Sequence, residues 1–164
     1  MSISRKDVIL EQFLFTHNRN GWFVSFQSAV EGLTPEQAKW KKSESDNSVW
    51  ELVNHLVFWN EYCLNKFKGI PSPKLEGSNH TTFYNRGELG WQQTVDRFNS
   101  MMSIWYETIE TCEDDKLDQS FNPETKSSWI TTLSSLALYN AYHIGQIVTI
   151  RKMQGSWDKA QGVN

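Results

Sequence analysis

The chain has few of the residues that staple or interrupt a fold. Its two cysteines, Cys63 and Cys112, are far apart and form no CxxC spacing. That excludes a disulfide framework and a cysteine-built zinc knuckle, and both are expected to be free thiols. No apolar run approaches the roughly 20 residues that span a bilayer. The opening Met1-Ser2-Ile3-Ser4-Arg5-Lys6-Asp7 lacks the apolar stretch of a signal peptide. A cytoplasmic protein with no membrane partner is therefore expected. Neither sign of charge dominates, with 16 Lys and Arg against 19 Asp and Glu, which removes the electrostatic case for a nucleic-acid partner.

Helical spacing and large rings are what the sequence does contain. At 164 residues with 8 tryptophans, it is long enough for one domain spanning 1–164 with an aromatic core, and some rings are left over for a pocket or a subunit interface. Val8, Ile9, Phe13, Leu14, Trp22, Phe23, Phe26 and Val30 recur at helical spacing. They predict one long helix over about 5–32, disturbed near Asn18-Arg19-Asn20-Gly21. Thr34-Pro35-Glu36-Gln37 opens a short helix to about Trp40. Ser48, three residues before Glu51, forms a capping box ahead of a helix to about Lys68. Gly69-Ile70-Pro71-Ser72-Pro73 stops that helix, and residues 69 to about 89 read as an ordered long loop of the kind that caps a site. Trp91 to about Cys112 is helical again. A last helix starts at Ser127 or Ser128 and ends at Gly155. With no convincing strand, the fold class expected is an all-α up-down four-helix bundle with one or two short extra helices. A mobile tail is expected from about 158.

The last helix carries His143 in its middle, with Gln146 three residues on and Tyr139 one turn before. Gly145 beside it would let another helix approach closely. His55 lies on the second long helix of the same bundle. Two imidazoles from facing helices hold a divalent transition metal when a third donor joins them. Tyr139 occupies that position, and a phenol with a pKa near ~10 is a poor zinc ligand at neutral pH. His17 and His80 are further histidines, better explained as ordinary surface or partly buried residues. Glu51 and Glu61 are candidates to orient His55 from behind.

Ser48-Val49-Trp50-Glu51-Leu52-Val53-Asn54-His55-Leu56 and Ala141-Tyr142-His143-Ile144-Gly145-Gln146-Ile147, in this order and spacing, resemble the DinB-like (DinB/YfiT) superfamily of four-helix-bundle metalloproteins. The helical layout over about 5–155 agrees. The resemblance implies zinc or nickel held by one histidine of the second long helix and an HxxxH pair of the last. It also implies a metal-dependent hydrolase or thiol S-transferase acting on a small molecule or thiol, and a homodimer. His55 and His143 match two ligand positions, and Tyr139 stands where the third histidine belongs. Three outcomes stay open: Tyr139 ligates as phenolate or turns aside for water, His80 or His17 substitutes, or no metal binds. The alternative function is a non-catalytic bundle that binds a small molecule or pairs with a second copy.

Overall fold

The computed structural model describes residues 2–162. Its four long helices are α1 (Arg5–His17), α4 (Val49–Lys68), α5 (Trp91–Thr111) and α6 (Trp129–Gln154), with two short ones, α2 (Phe26–Val30) and α3 (Pro35–Lys39), between the first two. Local chemistry fixes their ends. Ser4 and Asp7, then Ser48 and Glu51, close reciprocal capping boxes at the starts of α1 and α4. Gly69 and Gly155 end α4 and α6 in the left-handed conformation, at φ 70 and 79°, where a side chain would be strained.

The expected four-helix bundle is present, and its helix directions can be read from which residues meet. α1 packs on α5 and α6, and α4 packs on the same two. Lys6 reaches the carbonyl of Cys112 while Phe13 meets Trp105, so α1 and α5 are antiparallel. Phe67 meets Trp129 and Asn60 meets Asn140, so α4 and α6 are antiparallel. Trp50 reaches Thr94 and Asn60 receives Trp105, so α4 and α5 run parallel. The run is up-down-down-up, so the all-α four-helix bundle stands while the simple up-down alternation expected of its helices is corrected: α4 and α5 are parallel. Parallel neighbours need a connection that returns the length of a helix, and residues 69–90 supply it. Ser72 bonds the Tyr62 carbonyl, Asn79 takes the Trp59 indole proton and the Phe83 carbonyl takes the Asn54 amide, so the loop climbs back along α4. A 3₁₀ turn over Asn79–Phe83 lies on that path.

Two further expectations are corrected. The single helix over 5–32 is two, because α1 stops at His17 and α2 begins only at Phe26. Asn and Gly are weak helix formers, and here the Asn20 carboxamide accepts the Ser25 backbone N–H, offering the chain a turn instead. Gly21 folds against Phe15, where an added Cβ would sit 2.9 Å from the ring. A strand pair, absent from the sequence reading, joins Ser120–Asn122 (β1) to Ser127–Ser128 (β2) as an antiparallel hairpin. Strands of three and two residues are too short to show alternation. The tail expected from about 158 begins with a 3₁₀ turn at Lys159–Gln161, with Gln161 bonded to Glu31. Its residues 163 and 164 lie outside the described residues.

The core fills the space between the long helices with Phe13, Phe26, Phe98, Trp105, Leu52, Leu56, Leu133 and Ile147, each nearly or fully buried. Burying each such side chain is worth about 1.5–3 kcal/mol before the entropy of ordering is subtracted. Deep in this apolar body a polar link crosses from α4 to α6. The carboxamides of Asn60 and Asn140, both 0% exposed, bond reciprocally at 2.7 and 3.1 Å.

Candidate metal centre

One turn from that link, toward the end where α4 begins, α4 and α6 bring together His55, Tyr139 and His143, the three residues singled out from sequence. The rings of His55 and His143 lie 5.0 Å apart and nearly perpendicular, and Tyr139 stands 4.5 Å from His143. His55 and His143 are buried, Tyr139 half-buried.

The hydrogen bonds fix the protons. Thr82 donates its hydroxyl proton to the Asn79 carbonyl at 2.6 Å, so its oxygen can only accept from His55 Nδ1, at 2.5 Å. His55 therefore carries its proton on Nδ1 and keeps a lone pair on Nε2. The Tyr139 hydroxyl donates to that lone pair. The relay runs Tyr139 to His55 to Thr82 to the backbone. His143 Nδ1 meets Gln146 Oε1 at 2.6 Å, which leaves its Nε2 as the free lone pair as well. Holding Nδ1–H from behind so that Nε2 is presented is how proteins orient metal-binding histidines.

Electrostatics keeps the trio neutral. Burial, aided by the neighbouring His143, lowers the His55 pKa to about 4. Burial also lowers that of His143, against the opposing effect of its hydrogen bond to the Gln146 carboxamide oxygen. Burial first, with the nearby Cys63, raises the Tyr139 phenol well above its ordinary value, so it stays protonated. Phe83 stacks on the His55 ring at 3.9 Å and 8° and closes it off from water.

The donor set does not fit a three-ligand zinc or nickel ion. Two imidazole lone pairs face the site, but the third donor is a protonated phenol that already occupies the lone pair of His55. No group of three or more His, Cys, Asp and Glu side chains gathers among the described residues. The proposed substitutes stay away: His80 packs on Phe83 and Tyr84, and His17, buried on α1, faces Asn99. The carboxylates expected behind His55 are also engaged elsewhere, Glu51 with Lys41 at 2.7 Å and Glu61 with Arg97 at 2.6 Å. Thr82, which sequence reasoning missed, orients His55 instead. The only signal for it was its place in the loop read as capping a site. Gly145, read as a close helix contact, faces open space within this chain.

Outside Tyr139 lies a cleft of about 670 Å³. α4 lines it with Trp59 and Tyr62, α6 with the short side chains Thr132 and Ser135, and the β1–β2 hairpin with Phe121. Cys63 lines the cleft as a thiol, its pKa pushed up to about 11 by burial.

A sequence model of the DinB superfamily matches residues 24–146. Among solved structures the chain is similar to YfiT from Bacillus subtilis, described as a probable metal-dependent hydrolase with an unusual four-helix bundle topology. The TM-score is 0.70 at 17% identity, over 96% of this chain and 92% of that one. No curated protein sequence matches the chain.

Proposed function

Because the chain belongs to the DinB superfamily, we propose that it descends from metal-dependent hydrolases or thiol S-transferases and has a degenerate metal position. What remains is a small-molecule site at His55, Tyr139 and His143. The observation that carries this reading is the Tyr139 hydroxyl on the His55 Nε2 lone pair. A metal there would have to displace a buried hydrogen bond and would gain only a neutral phenol in exchange, and even losses behind the ligands cost about 10- to 100-fold in affinity. The retained neutral imidazoles, the relay to Thr82 and the cleft outside Tyr139 together support capture of a small molecule. Metal analysis after reconstitution with zinc or nickel tests the reading. Well under one ion per chain after dialysis is expected, and stoichiometric metal would contradict it and favour a working metal-dependent hydrolase.

The two free thiols and the lack, among the described residues, of any helix able to cross a membrane support a cytoplasmic setting. A homodimer is the second part of the proposal. Leu138, Tyr142 and Met153 are 66, 64 and 50% exposed and lie with Gly145 and Thr149 at helical spacing along α6. An antiparallel crossing centred between Gly145 and Gln146 would seat Leu138 of one copy on Met153 of the other, and Tyr142 on Thr149. That is the self-complementarity a two-fold interface needs. Sedimentation is expected to show a dimer that Tyr142→Glu dissociates, and a monomeric parent protein at micromolar concentration would refute it.

A further inference from the structure

We propose that the cleft beside Tyr139 takes an uncharged, flat aromatic molecule that donates a hydrogen bond to the Tyr139 oxygen. The proposal rests on the reading that the Tyr139 hydroxyl, and not a metal, holds the His55 lone pair.

Three features of the cleft carry it. Its wall is aromatic: Trp59, Tyr62 and Phe121 line one side, with the Trp59 indole N–H fixed to Asn79 Oδ1 at 3.0 Å, so the ring is held ready for stacking. Its rim is polar but neutral. Hydroxyls and carboxamides surround the opening, and no Asp, Glu, Lys, Arg or His lines it among the described residues. Lys66 stands against the wall, but its ammonium is held over the Phe121 ring at 4.1 Å and does not line the cleft. An anion entering the cleft would lose hydration without gaining a counter-charge, and a cation would fare no better. At the inner end, the relay dictates polarity. Thr82 spends its proton on the Asn79 carbonyl, His55 spends its Nδ1 proton on Thr82, and Tyr139 spends its proton on His55. The Tyr139 oxygen is left with lone pairs only, so it can recognise a donor and not an acceptor. At about 670 Å³ the space falls within the roughly 300–1,000 Å³ of small-molecule sites.

Three probes of one shape separate these features by calorimetry at pH 7 with a chelator present: 2-naphthol, 2-methoxynaphthalene and naphthalene-2-sulfonate. The first is neutral with a donor, the second neutral without one, and the third an anion. Saturable 1:1 binding of 2-naphthol is expected, with the other two at least fivefold weaker. Ser135→Trp, at an exposed position on the cleft side of α6, should fill the space and weaken 2-naphthol at least tenfold without changing the circular dichroism. Tyr139→Phe, which removes the accepting oxygen, should weaken 2-naphthol about fivefold and leave 2-methoxynaphthalene unchanged. Sulfonate binding as tight as naphthol, equal affinity for the methoxy probe, or an unaffected Ser135→Trp variant would overturn the proposal. Repeating the titration with zinc in place of the chelator distinguishes the two readings. A naphthol affinity that zinc changes would contradict the degenerate metal position, whereas no naphthol binding under either condition would sink the ligand class alone.

Discussion

α4 and α6 are joined by two polar layers one turn apart, and the layers differ in what they leave unspent. In the Asn60–Asn140 layer each carboxamide donates to and accepts from the other, and Asn60 also donates to the Leu56 carbonyl at 2.9 Å. Both side chains are 0% exposed and their mutual bonds are satisfied. In the His55–Tyr139–His143 layer the protons of Tyr139 and His55 are directed toward the loop, that of His143 goes to Gln146 on α6, and lone pairs remain on the Tyr139 oxygen and on His143 Nε2. A closed polar pair fixes how two helices register, while an open one beside a cleft is available to a ligand. Burial alone does not separate the two; the direction of the hydrogen bonds does.

Breaking the closed layer should have the largest effect. Asn140→Ala strands one donor and the acceptor of Asn60 in an apolar interior, the other N–H keeping the Leu56 carbonyl, and leaves a small void, an expected loss of about 3 kcal/mol by denaturant unfolding. A loss no larger than that of an exposed substitution would show that water satisfies Asn60 and that the pair does not set the register.

Acid should separate the layers next. The folded state holds His55 near a pKa of about 4 against an ordinary 6.5, and His143 and His17 are lowered too. A histidine with a depressed folded pKa binds fewer protons folded than unfolded. Stability is therefore full above pH 6.5 and falls as the pH drops from there toward 4, by on the order of 2–3 kcal/mol from His55. The asparagine layer does not titrate. His55→Gln should cut the slope of stability against pH in this window by about one proton, and an unchanged slope would place the acid sensitivity elsewhere.

Thr82→Val probes the open layer more gently. It leaves the His55 Nδ1–H without its acceptor, for an expected loss of about 1 kcal/mol, and nitrogen chemical shifts should show His55 losing its fixed tautomer. A tautomer unchanged in the variant would mean that another group holds the ring.

The sequence made the long helices legible because their ends are marked by short-range chemistry: Ser48 with Glu51, and Gly155 after an apolar run. The same holds for His55, Tyr139 and His143, since His55 lies in a capped helix and the other two are one turn apart on a single helix. What could not be read depends on contacts distant in sequence. Asn60 and Asn140 are 80 residues apart, and neither asparagine announces the other. Thr82 acts because its loop climbs back along α4, a path with no periodicity to reveal it. The break at Asn18–Gly21 was visible as weak propensity, but its depth came from the Asn20 side chain capturing the Ser25 N–H. The hairpin at β1 and β2 was too short to leave a pattern.

On the proposed reading, one hydroxyl, that of Tyr139 on His55 Nε2, stands where a third imidazole would complete a metal site. Zinc and nickel titration of the parent protein beside Tyr139→His and Tyr139→Phe tests it most directly. With two ring nitrogens already presented by Thr82 and Gln146, the histidine variant should gain at least about 10- to 100-fold in metal affinity, while the phenylalanine variant gains far less. A parent protein that already binds zinc as tightly as Tyr139→His, or a histidine variant with no gain, would contradict the account.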